Sequence, residues 1–220
     1  MKLKLIKKES VAKDTISFWF RPESKLRYIA GQYIELSLPH ANPDSRMARR
    51  WFTLSSSPTE ELLAITTKFK PDSSSFKKAL HNLPLGSSVQ AQMPMGDFVL
   101  PKDTSRPLVF VAGGIGVTPY RSMLKFLSDS AEKRDVTVIY VVKDAEEIAF
   151  EDILQKSANK VVKHFGRLNA QDLLQYTGHI NDEVVYISGP EKMVETLYED
   201  MIKNGVPRLQ LRTDFFHNYY

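Results

Sequence analysis

Three glycines near the middle of the chain have the spacing of a phosphate cradle. Gly113, Gly114 and Gly116 are followed by Thr118 and Pro119, a G-x-G-x-x-P arrangement. Glycines let backbone N–H groups approach a ligand with no Cβ in the way. A helix start behind them adds unpaired N–H donors and a positive dipole end, both suited to phosphate. The same pattern also fits a tight strand-to-helix turn whose glycines serve packing alone. A second candidate is Arg50-Trp51-Phe52-Thr53. On a strand, Arg50 and Phe52 share one face, and Trp51 and Thr53 the other. A guanidinium beside aromatic rings suits a phosphorylated, planar ligand, although the tetrapeptide alone also reads as a half-buried strand. A third, Asp72-Ser73-Ser74-Ser75 before a short helix, is either a phosphate nest or ordinary N-capping. Pro94-Met95-Gly96-Asp97-Phe98 reads as a turn before a closing strand.

Elements must hold these groups in place. Leu108 to Ala112 is a short apolar run rich in β-branched and aromatic residues, as in a strand buried on both faces. Behind the glycines, Thr118 fits a helix N-cap and Pro119 the first helical position. Tyr120, Met123, Leu124 and Leu127 then fall on one helix face. Further strands at 136–142, 160–165, 184–188 and 208–213 alternate with helices over 119–130, 147–157, 170–176 and 190–204. That alternation predicts a doubly wound parallel sheet, which binds ligands at the carboxyl ends of its strands. Ser188-Gly189-Pro190 ends its fourth strand. Asp144 follows its second, where an acidic group can bind a ribose. The first half differs: strands at 2–5, 15–20, 32–38, 50–55, 62–69 and 88–93 with one short helix carrying Phe76, Ala79 and Leu80. This predicts a closed antiparallel barrel or a sandwich. Pro101 to Pro107 is polar, proline-bracketed and reads as a linker.

The totals narrow the chemistry. A chain of 220 residues suits one large domain or two smaller ones, and 42% hydrophobic content can bury a core. With no Cys there are no disulfides, thiolate metal sites, Cys-ligated clusters or Cys nucleophile. The five His have no metal-ligand spacing, so no metal is expected. The basic N-terminus lacks the apolar core of a signal peptide, and no long apolar run predicts a membrane span. A cytoplasmic location is the expectation. The net charge of +4 is modest, and the lysines near the N-terminus alternate with aliphatic residues rather than forming a nucleic-acid patch.

Taken in order, these motifs resemble those of the ferredoxin–NADP reductase-like superfamily of flavin oxidoreductases. Arg50-Trp51-Phe52-Thr53 resembles its R-x-Y-[ST] motif, with Phe for Tyr, and Gly31-Gln32-Tyr33 its G-Q-[YF]. Ser74-Ser75-Phe76 stands where its diphosphate-binding serine lies. Pro94 to Phe98 resembles G-P-x-G-x-F without the first Gly. Gly113 to Pro119 resembles G-G-x-G-[IV]-[TA]-P, and Ser188 to Met193 resembles C-G-P-x-x-[ML]. The match spans essentially the whole chain. It implies a six-stranded antiparallel Greek-key barrel binding flavin over residues 1–102, then a five-stranded parallel doubly wound sheet binding NAD(P) over 103–220.

The resemblance also implies roles. Arg50 would meet the flavin phosphate, Phe52 flank the isoalloxazine, and Thr53 bond near flavin N5. Gly31, Gln32, Tyr33, Trp51, Thr66, Thr67, Lys68, Ser73, Ser74 and Ser75 complete the flavin set, and Phe216 or Tyr220 from the aromatic tail would stack on the ring. Gly113, Gly114, Gly116, Thr118, Pro119, Asp144, Ser188, Gly189, Pro190 and Met193 would hold NAD(P). Thr53 and Ser188 are the catalytic candidates. The flavin implied is FAD rather than FMN, with NADH or NADPH as reductant; Lys143-Asp144, in place of a Ser-Arg pair, favours NADH. Ser188 replaces a frequent Cys, which implies slower hydride transfer rather than none. A separate acceptor is implied: ferredoxin, flavodoxin, a haem protein or free flavin, with a small acidic carrier protein as one form. The rival reading is a non-catalytic flavin- or nucleotide-binding subunit of a larger complex.

Overall fold

The structure is a computed structural model and describes residues 1–216. Its first half is an antiparallel sheet of β1 (Lys2–Ala12), β2 (Thr15–Pro22), β3 (Tyr33–Ser37), β4 (Arg49–Thr53), β5 (Leu63–Lys68) and β6 (Ser88–Ala91), in the order β4-β3-β6-β1-β2-β5. The outer strands meet where Leu54 bridges Ile65, which closes the sheet into a barrel. Alternation turns Leu3, Leu5, Phe18, Phe20, Ile34 and Leu36 inward, where all are fully buried. Helix α1 (Ser75–Asn82) adds Phe76 and Leu80 to that core, an i, i+4 pair on one face.

In the second half, β7 (Leu108–Gly113), β8 (Val136–Val142), β9 (Lys160–Phe165), β10 (Val184–Pro190) and β11 (Leu211–Phe216) form a parallel sheet in the order β11-β10-β7-β8-β9. Helices α2 (Thr118–Ser130) and α3 (Glu151–Ser157) are covered by one core layer, with Phe110, Tyr120, Leu124 and Tyr140. Helices α4 (Ala170–Thr177) and α5 (Glu191–Lys203) belong to the other, with Val111, Ile139, Leu173 and Leu197. The strand order reverses between β7 and β10, so the loops leaving those strands diverge and open a crevice.

Some local expectations shift. Gly114–Val117 forms a 3-10 turn, so Val117 is the N-cap of α2, and Thr118 and Pro119 are already helical. The Thr118 hydroxyl donates back to the Ile115 carbonyl at 3.1 Å. Residues 208–210 are another 3-10 turn, and the last strand starts at Leu211, so Phe216 lies within β11 rather than in a tail beyond it. No closing barrel strand follows Phe98; the next strand is β7 of the second half. The Phe98 ring enters the core of the second half, 5.2 Å from Tyr186 and 6.0 Å from Tyr120, while Tyr186 donates to the Val99 carbonyl at 2.7 Å. The covalent boundary near 102 is therefore not a packing boundary.

Candidate active site

A cavity of about 570 Å³ opens between the halves, within the ~300–1,000 Å³ usual for ligand sites. From the barrel come Arg50, Trp51, Phe52 and Thr53 of β4, Thr66 and Lys68 of β5, and Ser73 and Ser74 before α1. From the other half come Ile115, Thr118, Phe215 and Phe216. Register explains the barrel wall. Arg50 and Phe52 pair with the inward Leu36 and Ile34, so they share their face, and Trp51 and Thr53 point the other way. Phe52 lies 5.9 Å from the Phe76 ring, and the Arg50 guanidinium stands 5.2 Å over the same ring.

The wall is cationic: Arg46, Arg49, Arg50, Lys68, Lys70 and Lys77 against Glu35 and Asp72. Ser74 caps α1 by accepting from the Lys77 N–H, and Ser73 accepts from the Lys70 N–H at 2.8 Å. Hydroxyls, lysines and a helix start are thereby gathered at one point, a donor set suited to phosphate. Arg50 is nearly buried. It holds Asp44 with both carboxylate oxygens, at 2.5 and 2.6 Å, and its Nε is buried without a partner. The arginine beside it keeps the Asp44 carboxyl below its usual pKa, even against burial. Trp51 is 65% exposed and packs against Tyr33, ring centre to ring centre 5.8 Å.

Several expected residues stand elsewhere. Gly31 has φ +100°, and a Cβ there would come within 2.1 Å of the Phe98 carbonyl oxygen and 2.5 Å of Met123 Cε, so packing between the halves requires this glycine. Gln32 bonds the Gly96 carbonyl at 3.2 Å, and Tyr33 backs Trp51. Ser75 bonds His40 and the Asp44 N–H. Thr67 is buried and off the cavity wall. Of the glycine loop, Gly113 faces Met193 and Pro190, and Gly116 faces the Ser188 carbonyl at 2.2 Å from a built Cβ. Gly189 meets Gly113 backbone to backbone. Gly113, Gly116 and Gly189 therefore each sit against neighbouring atoms that leave little or no room for a Cβ. Gly114 alone has φ +52° with open space before it. Asp144 caps its own turn by accepting from the Glu146 N–H. Tyr220 lies outside the described residues.

Ser188 is fully buried on β10, and register sets it beside Asp214 of β11. Its hydroxyl donates to the Asp214 carboxylate at 3.5 Å, the far limit of a hydrogen bond. Burial pushes the Asp214 carboxyl up to about 6, with a further push from Asp97 against the opposing Ser188 bond. Asp214 carries no sequence signal of its own; only the parallel pairing of β10 and β11 reveals it.

Two family models match the chain: an oxidoreductase FAD-binding domain over residues 2–100 and an oxidoreductase NAD-binding domain over residues 110–199. The chain belongs to the ferredoxin–NADP reductase-like superfamily. Its cofactors are FAD and a nicotinamide dinucleotide. Flavohemoprotein A of Dictyostelium discoideum is 28% identical over 96% of this chain and 58% of its own length. The ferredoxin reductase component of a 3-ketosteroid-9-alpha-monooxygenase from Mycobacterium tuberculosis is 28% identical over 89% of this chain and 56% of its own. The chain thus spans little more than half of these relatives. Among solved structures, an Amycolatopsis cytochrome P450 reductase superimposes with a TM-score of 0.84 at 20% identity, covering 98% of this chain and 70% of that one. Ferredoxin-NADP+ reductase of Plasmodium falciparum gives 0.80 at 18%, covering 98% and 95%. Among the described residues of this reductase-like chain, no helix is long and apolar enough to cross a membrane.

Proposed function

We propose that the chain takes hydride from NADH or NADPH into bound FAD and passes the electrons to a separate acceptor. The observation that carries this is the two-sided cavity: one wall has the phosphate-suited donors and Thr53, the other has Thr118 and Phe216. The chemistry FAD supplies is hydride acceptance followed by onward electron transfer. The protein's part is alignment and exclusion of water. Ser73, Ser74, Lys70 and Lys77 fit the diphosphate, and Arg50, with its orphaned Nε, fits an anion beside them. Phe52 and Thr53 would border the ring on the barrel side, and Phe216 would cover it from β11. The nicotinamide nucleotide would enter over Gly114 and Thr118, with Ser188 and Asp214 paired on the adjoining strands β10 and β11. Asp214 can hold a proton there to about pH 6. Relatives named as flavohemoproteins and as a ferredoxin reductase component support a haem or ferredoxin acceptor class.

The test is anaerobic mixing of FAD-loaded protein with NADH and, separately, NADPH, followed by ferricyanide. Bleaching of the flavin by at least one nucleotide and its return with ferricyanide are expected. A flavin that binds but is reduced by neither would leave the non-catalytic subunit as the better reading.

A further inference from the structure

Two side chains in α2 reach across the gap between the halves. Arg121 carries a full charge yet is only 7% exposed. Its guanidinium donates to the Ser55 carbonyl at 3.1 Å and grips both carboxylate oxygens of Glu60, the longer contact being 2.9 Å. Trp19 of the barrel and Phe150 of the second half flank it, their ring centres 5.4 and 5.9 Å from the guanidinium carbon. The next residue, Ser122, donates to the Ser56 carbonyl at 2.5 Å. Tyr28 donates to that same carbonyl at 3.0 Å.

The positions gripped are telling. Ser55 and Ser56 directly continue the strand that carries Thr53, and Ser55 also bonds Thr66 of the cavity wall at 2.8 Å. Arg121 sits one helical turn beyond Thr118, which lines the opposite wall. A buried ion pair adds little net stability compared with well-packed apolar residues, because desolvation offsets the attraction. What a guanidinium fork adds is fixed direction as well as fixed distance.

We propose that Arg121, supported by Ser122, is a positioning residue for hydride transfer: it sets the depth and angle at which the nucleotide wall at Thr118 faces the flavin wall at Thr53. This rests on the proposed function above. Hydride transfer needs reacting atoms about 3–3.5 Å apart, and a displacement near 1 Å can cost roughly a hundredfold in rate. A lock bonded to both walls is placed to prevent such a displacement.

The experiment compares FAD-loaded wild type with Arg121→Met, Arg121→Lys and Ser122→Ala. It measures the FAD dissociation constant, the NADH dependence of flavin reduction, and the long-wavelength absorbance of the stacked nicotinamide–flavin pair. Arg121→Met is expected to bind FAD within about twofold of wild type, while its saturating reduction rate falls roughly 10- to 100-fold and that absorbance weakens. Lys should recover part of the rate, since it keeps the charge and loses the fork. A saturating rate equal to wild type, or a loss that excess FAD and NADH restore, would overturn the proposal. If Arg121→Met does not fold, Ser122→Ala decides: a smaller loss of the same kind supports the lock, and an unchanged rate sinks it. Wild type reduced by neither nucleotide removes the proposed function and this inference together; wild type reduced normally with indifferent variants removes this inference alone.

Discussion

The Asp214 carboxyl keeps its proton to about pH 6 in the folded chain, against an ordinary value of 3.8, chiefly because it is buried. The folded state therefore binds more protons than the unfolded chain between about pH 4 and 6, so this group's contribution to stability falls as pH rises through that window. The shift corresponds to about 3 kcal/mol at most. Asp214→Asn removes the term. Its stability relative to wild type, read from urea midpoints, is expected to rise from pH 4 to 6 and then level off; a constant offset would refute the titration. Arg50→Ala is a different kind of change. It frees Asp44 and removes a cation from the phosphate end, so the protein should purify with less flavin per chain, seen as lower visible absorbance. The place of Arg50 on the cavity wall was legible because it is contiguous in sequence with Phe52 and Thr53, which line the same wall. Asp214 was not, because a lone acid gains meaning only from the strand that folds beside it.

The element scale turns on the glycine turn between β7 and α2. Its glycines look equivalent in sequence, but a Cβ on Gly116 would press into the Ser188 backbone and one on Gly114 would meet nothing. Gly116→Ala is expected to cost about 1–3 kcal/mol through overpacking, and to weaken NADH binding by displacing β10. Gly114→Ala pays only for left-handed backbone, about 1–2 kcal/mol, with the sheet intact. Chemical denaturation of both variants, with NADH titrations, separates the two effects; equal NADH affinities would refute the assignment. Strand and helix placement was readable because hydrophobic periods of two and of 3.6 are strong signals. The helix start was misplaced by one residue because the 3-10 turn at Gly114–Val117 runs directly into α2, leaving Thr118 already helical. The last strand was misplaced because Pro207 opens another such turn, leaving Leu209 in solvent.

For the whole molecule, the two-domain order was visible from the change of period after Pro107. The contacts that join the halves were not, since Arg121, Glu60, Gly31 and Phe98 lie far apart in sequence and meet only on folding. Phe98→Ala is expected to destabilise the protein by about 3–5 kcal/mol, with loss of both halves in one transition. Separate melting of barrel and sheet, followed by their distinct circular dichroism signals, would show instead that each stands alone.

That ring also limits how the molecule can be rebuilt. A chimaera that grafts this dinucleotide sheet onto a foreign barrel, cut at the proline-bracketed joint, would leave Tyr120 and Tyr186 bordering a hollow. Such a hybrid should clump or lose solubility unless the short stretch bearing Phe98, and the small Ala30-Gly31 pair packed against it, travel with the transplanted half.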